Sequence, residues 1–175
     1  MKFQDLPTTK KGDFAEKVLD LYLSSKGIIS YSPEKGKPHP FDRLCASADK
    51  KSIFIAECKG KARRTYYPDT GINKSHYDDY LNIRVKYGID VWIFFVDEFS
   101  KKIYGNLLSI LDEPRVIIHN NKPIHYPFTQ STKYGTFIRY FPLVAMEDIC
   151  DLTKEESKIL TGLSRRNYEY EEVPF

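Results

Sequence analysis

Residues 90–98 read DVWIFFVDE, six uninterrupted apolar side chains from Val91 to Val96 closed at both ends by acids. A run this short, and this rich in β-branched and aromatic residues, is a strand buried on both faces. Such a strand needs a neighbour along each edge and a layer over each face. That requirement points to an α/β (α+β) chain with a central sheet covered by helices. At 175 residues with 41% hydrophobic content, the chain can bury one such core and is too short for two large ones. We therefore expect one domain over residues 1–175.

A second apolar run, SIFIAECKGK at residues 52–61, ends differently: Ser52 to Ala56 lead into Glu57, Cys58 and Lys59. Side chains two apart on a strand share a face, so Glu57 and Lys59 point together while Cys58 points the other way, into packing. The preceding FDRLCAS, residues 41–47, alternates with period two, and ADKK is a short turn. The pair predicts an antiparallel hairpin. Asp42 lies on the partner strand, so its carboxylate can converge with that of Glu57. Upstream, GDFAEKVLDLYL (12–23) has helical apolar spacing, with Thr8 or Thr9 as N-cap and Gly27 as stop. If that helix packs on the sheet, Glu16 can join the same point. Converging carboxylates suit Mg²⁺, a hard cation that retains water, and a lysine beside them adds positive charge for a phosphate in reaction.

Elsewhere the pattern predicts a strand at 27–33, a turn at 34–40 and a long loop at 60–73. A helix at 74–88 and β-like pieces at 102–110, 115–119, 123–127 and 135–144 follow. The segment 146–160 is expected to be a closing helix, broken at a Thr153–Glu156 capping box, with a loose acidic tail beyond it. Cys45, Cys58 and Cys150 are too few and scattered for a disulfide framework or zinc site. No apolar run approaches the ~18 residues of a membrane span, and the first residues lack the apolar core of a secretory signal. The expectation is a soluble, intracellular, cytoplasmic protein with no membrane association.

Net charge is only +3, but KGKARR (59–64) and SRRNY (164–168) concentrate cations, and 13 tyrosines are present. Cations hold phosphates and aromatic rings stack on bases. Lys61, Arg63 and Arg64, in the loop that follows Lys59, are candidates for a phosphate backbone. Tyr66 and Tyr67 could stack on bases or pack the loop down. His119 and His125 have no partner at ligand spacing.

AEKVLDLYL with Glu16, PFDRL with Asp42 and FIAECKGK with Glu57 and Lys59 follow one another in an α-β-β-β-α-β order. On these residues the chain resembles the PD-(D/E)XK nuclease superfamily, over about residues 10–98. The resemblance implies a restriction-endonuclease-like αβββαβ core with a central mixed sheet flanked by helices; beyond it, outside the resemblance, the pattern adds a β-rich C-terminal extension with the closing helix over about 99–165. The resemblance also implies a Mg²⁺-dependent endonuclease hydrolysing DNA phosphodiester bonds, of resolvase, restriction or homing type, in which Mn²⁺ can substitute. By position, Asp42 and Glu57 would hold the metal, Lys59 would be the catalytic lysine, and Glu16 a supporting acid that also faces the metal. Many members carry QxxxY on the helix after the lysine strand; HYDDY places His76 and Tyr80 at that spacing, with His for Gln. DNA is the implied partner, and duplex cutting with one site per chain favours a homodimer. Two other readings stand beside this one. The chain could be a nucleic-acid-binding module of the same fold that does not cut, or a protein-interaction domain built on its aromatic β segment.

Overall fold

The structure is a computed structural model and describes residues 6–33 and 40–164. Residues 34–39 of the expected turn at 34–40, the Arg165–Arg166 pair and the acidic tail lie outside the described residues. The chain opens with α1 (Pro7–Ser25), β1 (Ile29–Tyr31), β2 (Arg43–Ala46), β3 (Ile53–Lys59), β4 (Asp69–Asn73), α2 (Lys74–Tyr87) and β5 (Asp90–Asp97). It continues with β6 (Lys102–Leu107), α3 (Leu108–Leu111), β7 (Arg115–His119), β8 (Lys122–Tyr126), β9 (Phe128–Ser131) and β10 (Phe137–Pro142). A 3-10 turn (Leu143–Ala145), β11 (Glu147–Asp151) and α4 (Lys154–Ser164) complete it.

Six strands form the main sheet in the order β1-β2-β3-β5-β6-β11. β5 runs parallel to β3 and antiparallel to β6, so the sheet is mixed. The parallel pair requires a crossover, which α2 supplies after β4. Apart from β4, which joins another sheet, the order is the αβββαβ of the expectation. The apolar run of 91–96 is indeed central. Ile93 and Phe95, both wholly buried, face one core with Ile55, Tyr77, Tyr80 and Phe141. Phe94 and Val96 face the other, with Leu19, Leu23, Ala56 and Leu160. α1 and α4 supply the second core, and α2 and β10 the first. Full burial of each such side chain is worth roughly 1.5–3 kcal/mol.

Several boundaries moved, each for a tertiary reason. α1 begins at Pro7, ahead of the expected start at 12, and its N-cap residue Leu6 makes no side-chain cap bond, so neither Thr8 nor Thr9 caps it. The early turn is held from outside: Lys11 is buried, its ammonium 2.6 Å from Glu98. Gly27, at φ +69°, is the expected stop. The expected strand 27–33 is only three residues long, and all three are exposed.

The expected loop 60–73 contains β4. Asp69, Gly71 and Asn73 are poor strand formers, and β4 exists because β10 pairs with it, in a three-stranded sheet ordered β4-β10-β9. Gly71 is needed there: a Cβ would lie 2.5 Å from the Arg139 carbonyl oxygen. β9 was not anticipated. The strand expected over 102–110 gives way to α3 after Leu107.

The expected helix over 146–160 is the largest correction. Its first part is β11, which pairs with β6 across a bulge between Asp148 and Cys150. Its second part is α4, starting at the Thr153–Glu156 capping box: the Thr153 amide donates to Glu156 at 2.7 Å and the Glu156 amide to Thr153 Oγ1 at 3.2 Å. β6 and β11 thus extend the main sheet beyond residue 98, and α4 packs against α1. No helix among the described residues is long and apolar enough to cross a membrane.

Candidate active site

The β2–β3 register pairs Arg43 with Ala56 and Leu44 with Ile55. Continued by one residue, it sets Asp42 opposite Glu57. The Asp42 amide donates to Glu57 Oε2 at 3.1 Å, and the Cys58 amide donates to Asp42 Oδ2 at 2.9 Å. Each carboxylate is therefore held by the other strand's backbone. Glu57 is buried at 3% exposure, while Lys59, at the strand end, remains partly open. Cys58 is buried in the core beneath α1, on the face opposite Glu57, as the alternation requires.

Lys59 Nζ lies 2.5 Å from Glu57 Oε1, 3.1 Å from the Tyr80 hydroxyl and 3.5 Å from His76 Nδ1. His76 and Tyr80 are one turn apart on α2, so both reach the same ammonium. The Tyr80 ring is buried in the core beneath α2, whereas His76 sits exposed at the mouth. The structure thus gathers Asp42, Glu57, Lys59, His76 and Tyr80 at one end of the sheet.

Electrostatics follow from that crowding. Glu57 is pushed up to about 7, first by burial; Asp42 pushes the same way and Lys59 opposes. Burial, then the Glu57 charge, drives the Tyr80 hydroxyl far above its ordinary range. His76 is lowered by burial and by the Lys59 ammonium. Glu57 is therefore short of positive charge even with Lys59 in contact. A pair of hard oxygen donors in that condition fits a divalent cation that keeps several of its waters.

Glu16 does not join them. Arg43, itself almost wholly buried, extends beneath α1, where Glu16 Oε2 lies 3.4 Å from its guanidinium and Asp20 binds it through two nitrogens. Glu16 still feels Asp42, whose charge, after burial, raises its pKa. Among the described residues, no group of three or more His, Cys, Asp or Glu side chains stands close enough to hold a metal. The two carboxylates of Asp42 and Glu57 stand side by side without a third acid among those residues.

The loop after Lys59 was expected to grip phosphate through Lys61, Arg63 and Arg64. Arg64 is occupied elsewhere: its fork binds Asp69 at 2.5 and 2.6 Å, and the rings of Tyr67 and Tyr140 lie 4.1 Å from its guanidinium carbon. Asp69 is fully buried and also accepts from the Tyr126 hydroxyl at 2.6 Å. Arg63 has an exposed side chain, and Lys61 is half-buried. Gly60 lets α1 approach the strand end, since a Cβ there would lie 2.9 Å from that of Ala15.

Asp97 was missed. Fully buried at the end of β5, it accepts from the Arg63 amide at 3.3 Å, the Phe99 amide at 2.7 Å and the Tyr104 hydroxyl at 3.2 Å. An acid closing an apolar strand was visible in FVDE, but its partners were not.

No protein-family model matches the chain, and no curated protein matches it by sequence. Two solved nucleases are similar to it in structure. One is Hjc, a Holliday junction resolvase from Archaeoglobus fulgidus, with a TM-score of 0.47 at 10% identity, over 77% of this chain and 90% of that one. The other is D212, a nuclease from a fusselovirus, with a TM-score of 0.47 at 13% identity, over 92% of this chain and 95% of that one.

Proposed function

We propose that this chain is a metal-dependent deoxyribonuclease whose site is Asp42, Glu57 and Lys59, supported by Tyr80 and His76. The observation that carries this is the convergence at a sheet end. Two carboxylates from adjacent strands, one of them buried and charge-starved, meet an ammonium anchored by a tyrosine from the following helix. A purely structural ion pair needs one acid and one base; here a second acid is held beside the first by backbone amides.

Asp42 and Glu57 would hold a Mg²⁺ or Mn²⁺ ion, which when bound supplies charge neutralisation and water activation at a phosphate. Lys59 holds positive charge beside that point, where a phosphodiester in reaction gains negative charge. Tyr80 fixes the lysine's direction. His76, at the mouth and biased toward its neutral form, can accept or donate a hydrogen bond to a substrate phosphate. Both strands of a duplex would be cut by a two-fold pair of chains.

One observation favours a second reading, a nucleic-acid-binding module that does not cut. Glu16 is paired with Arg43, and among the described residues no third acid stands with the two carboxylates, one acid short of the expectation. The two readings separate in one assay. The purified protein is incubated with supercoiled plasmid, linear duplex, single strand and a four-way junction, each in Mg²⁺, Mn²⁺ or EDTA, beside Glu57→Ala. Cleavage that needs metal and is lost in the variant supports the nuclease. Binding to DNA without cleavage of any substrate supports the module, and neither binding nor cleavage sinks both.

A further inference from the structure

Between Lys59 and β4, the loop of residues 60–68 is braced along its length. The Lys61 amide donates to the Lys59 carbonyl at 2.9 Å, the Arg63 amide binds Asp97 at 3.3 Å, and Arg64 is clamped on Asp69. The Leu143 amide bonds the Pro68 carbonyl at 2.8 Å. The tip of the β7–β8 hairpin closes the last side, where His119 Nε2–H donates to the Tyr66 carbonyl at 2.8 Å.

Within this frame the two tyrosines part ways. Tyr67 covers Arg64 and sits 5.9 Å from the His119 ring, so it is packing. Tyr66 is 66% exposed, and its ring touches no other ring, cation or hydrogen-bonding group among the described residues. A large aromatic ring is thus presented to solvent on a backbone whose own carbonyl is pinned. Arg63, on the same loop, is exposed, and so is Lys122, which pairs across the hairpin with His119, the residue bonded to the Tyr66 carbonyl.

We propose that Tyr66 is a stacking platform for an unpaired nucleobase of the DNA strand, with Arg63 on the adjacent phosphate. This rests on the nuclease reading and names its substrate class: DNA carrying unpaired nucleotides beside the cut. Tyr66 stands seven positions after Lys59, so their Cα atoms are at most about 25 Å apart even if the loop were fully extended, a span of a few nucleotides of single strand. The charge matches a phosphate backbone. Base faces inside a duplex are covered by their neighbours, so a flat ring gains most from an end, a flap or a single strand. Because the loop is already held, stacking there costs little ordering of the protein.

The test compares wild type, Tyr66→Ala and Tyr66→Phe in EDTA, by fluorescence anisotropy on a labelled single strand and on the blunt duplex of the same sequence. Single strands carrying 2-aminopurine report stacking directly. Tyr66→Ala is expected to bind the single strand about fivefold to fiftyfold more weakly, the loss of one base–aromatic stack. Its duplex affinity stays unchanged, and Tyr66→Phe keeps both affinities. The 2-aminopurine emission is quenched by wild type and by the Phe variant but not by the Ala variant. Equal losses on single strand and duplex, or no loss at all, overturn the stacking role while leaving the nuclease reading intact. If wild type binds neither DNA, the nuclease reading falls and the stacking role falls with it. A changed melting temperature in Tyr66→Ala would mean that the ring packs, and would also overturn it.

Discussion

Asp42 and Glu57 face each other across two antiparallel strands, and the amide of the first is bonded to the carboxylate of the second at 3.1 Å. Two like charges are thereby held side by side, one of them out of water. Folding of the metal-free protein bears the cost, and that cost can be measured.

In metal-free buffer, stability should fall as pH rises. Glu57 ionises near 4.5 unfolded and at about 7 folded. Between those values the folded state keeps a proton that the unfolded state has lost. The stabilisation is complete below about 4.5 and gone once pH passes about 7, a loss on the order of 3 kcal/mol. Urea unfolding in EDTA across that range should show the slope, and Glu57→Gln should flatten it. Mg²⁺ should raise the melting temperature of wild type more at pH 8 than at pH 5; equal shifts would separate the cation from these carboxylates.

Lys59→Ala should lower cleavage by roughly 10²- to 10³-fold, the usual cost of losing a charge-stabilising donor, with DNA affinity in EDTA nearly unchanged. Tyr80→Phe keeps the ring in the core and removes the hydroxyl that steadies Lys59. A smaller loss of turnover, with little change in KM, is expected from steady-state kinetics. A Lys59→Ala variant that cuts at the wild-type rate would remove Lys59 from the mechanism.

The two neighbouring arginines should behave as opposites. Arg64→Ala leaves Asp69 buried without its cation, which should cost about 3–5 kcal/mol in chemical denaturation. Arg64→Lys should rescue only part of it, since an ammonium cannot replace a fork stacked between two rings. Arg63→Ala should leave stability within ~0.5 kcal/mol and reduce the slope of log K against log salt for DNA binding by about 1.

Thr153→Ala removes the hydroxyl that caps α4 and should cost about 1 kcal/mol. Because α4 packs on α1, thermal unfolding should remain a single transition, shifted downward. Two separated transitions would mean that α4 is not part of the cooperative core.

Local chemistry determined a good deal on its own. Six apolar residues in a row have no stable place except between two layers, so the central strand of 91–96 was legible from the chain. Period-two alternation put Glu57 with Lys59 and Cys58 against them, and the 76/80 spacing put His76 and Tyr80 on one helix face, because strand and helix geometry are intrinsic to the backbone. Tertiary structure alone decided the rest. β4 is a strand only because β10 lies beside it, since Asp, Gly and Asn do not choose that conformation unaided. β11 and α4 share one stretch of amphipathic sequence, divided by an open sheet edge on one side and a capping box on the other. Whether an acid or a cation is spent inside the protein or offered to a substrate depends on what other segments bring to it. Arg43 takes Glu16, Tyr126 and Tyr140 close on the Arg64–Asp69 pair, and His119 packs by Tyr67 while Tyr66 stays the more exposed of the loop's two tyrosines, because those partners come from distant parts of the chain and spacing carries no trace of them.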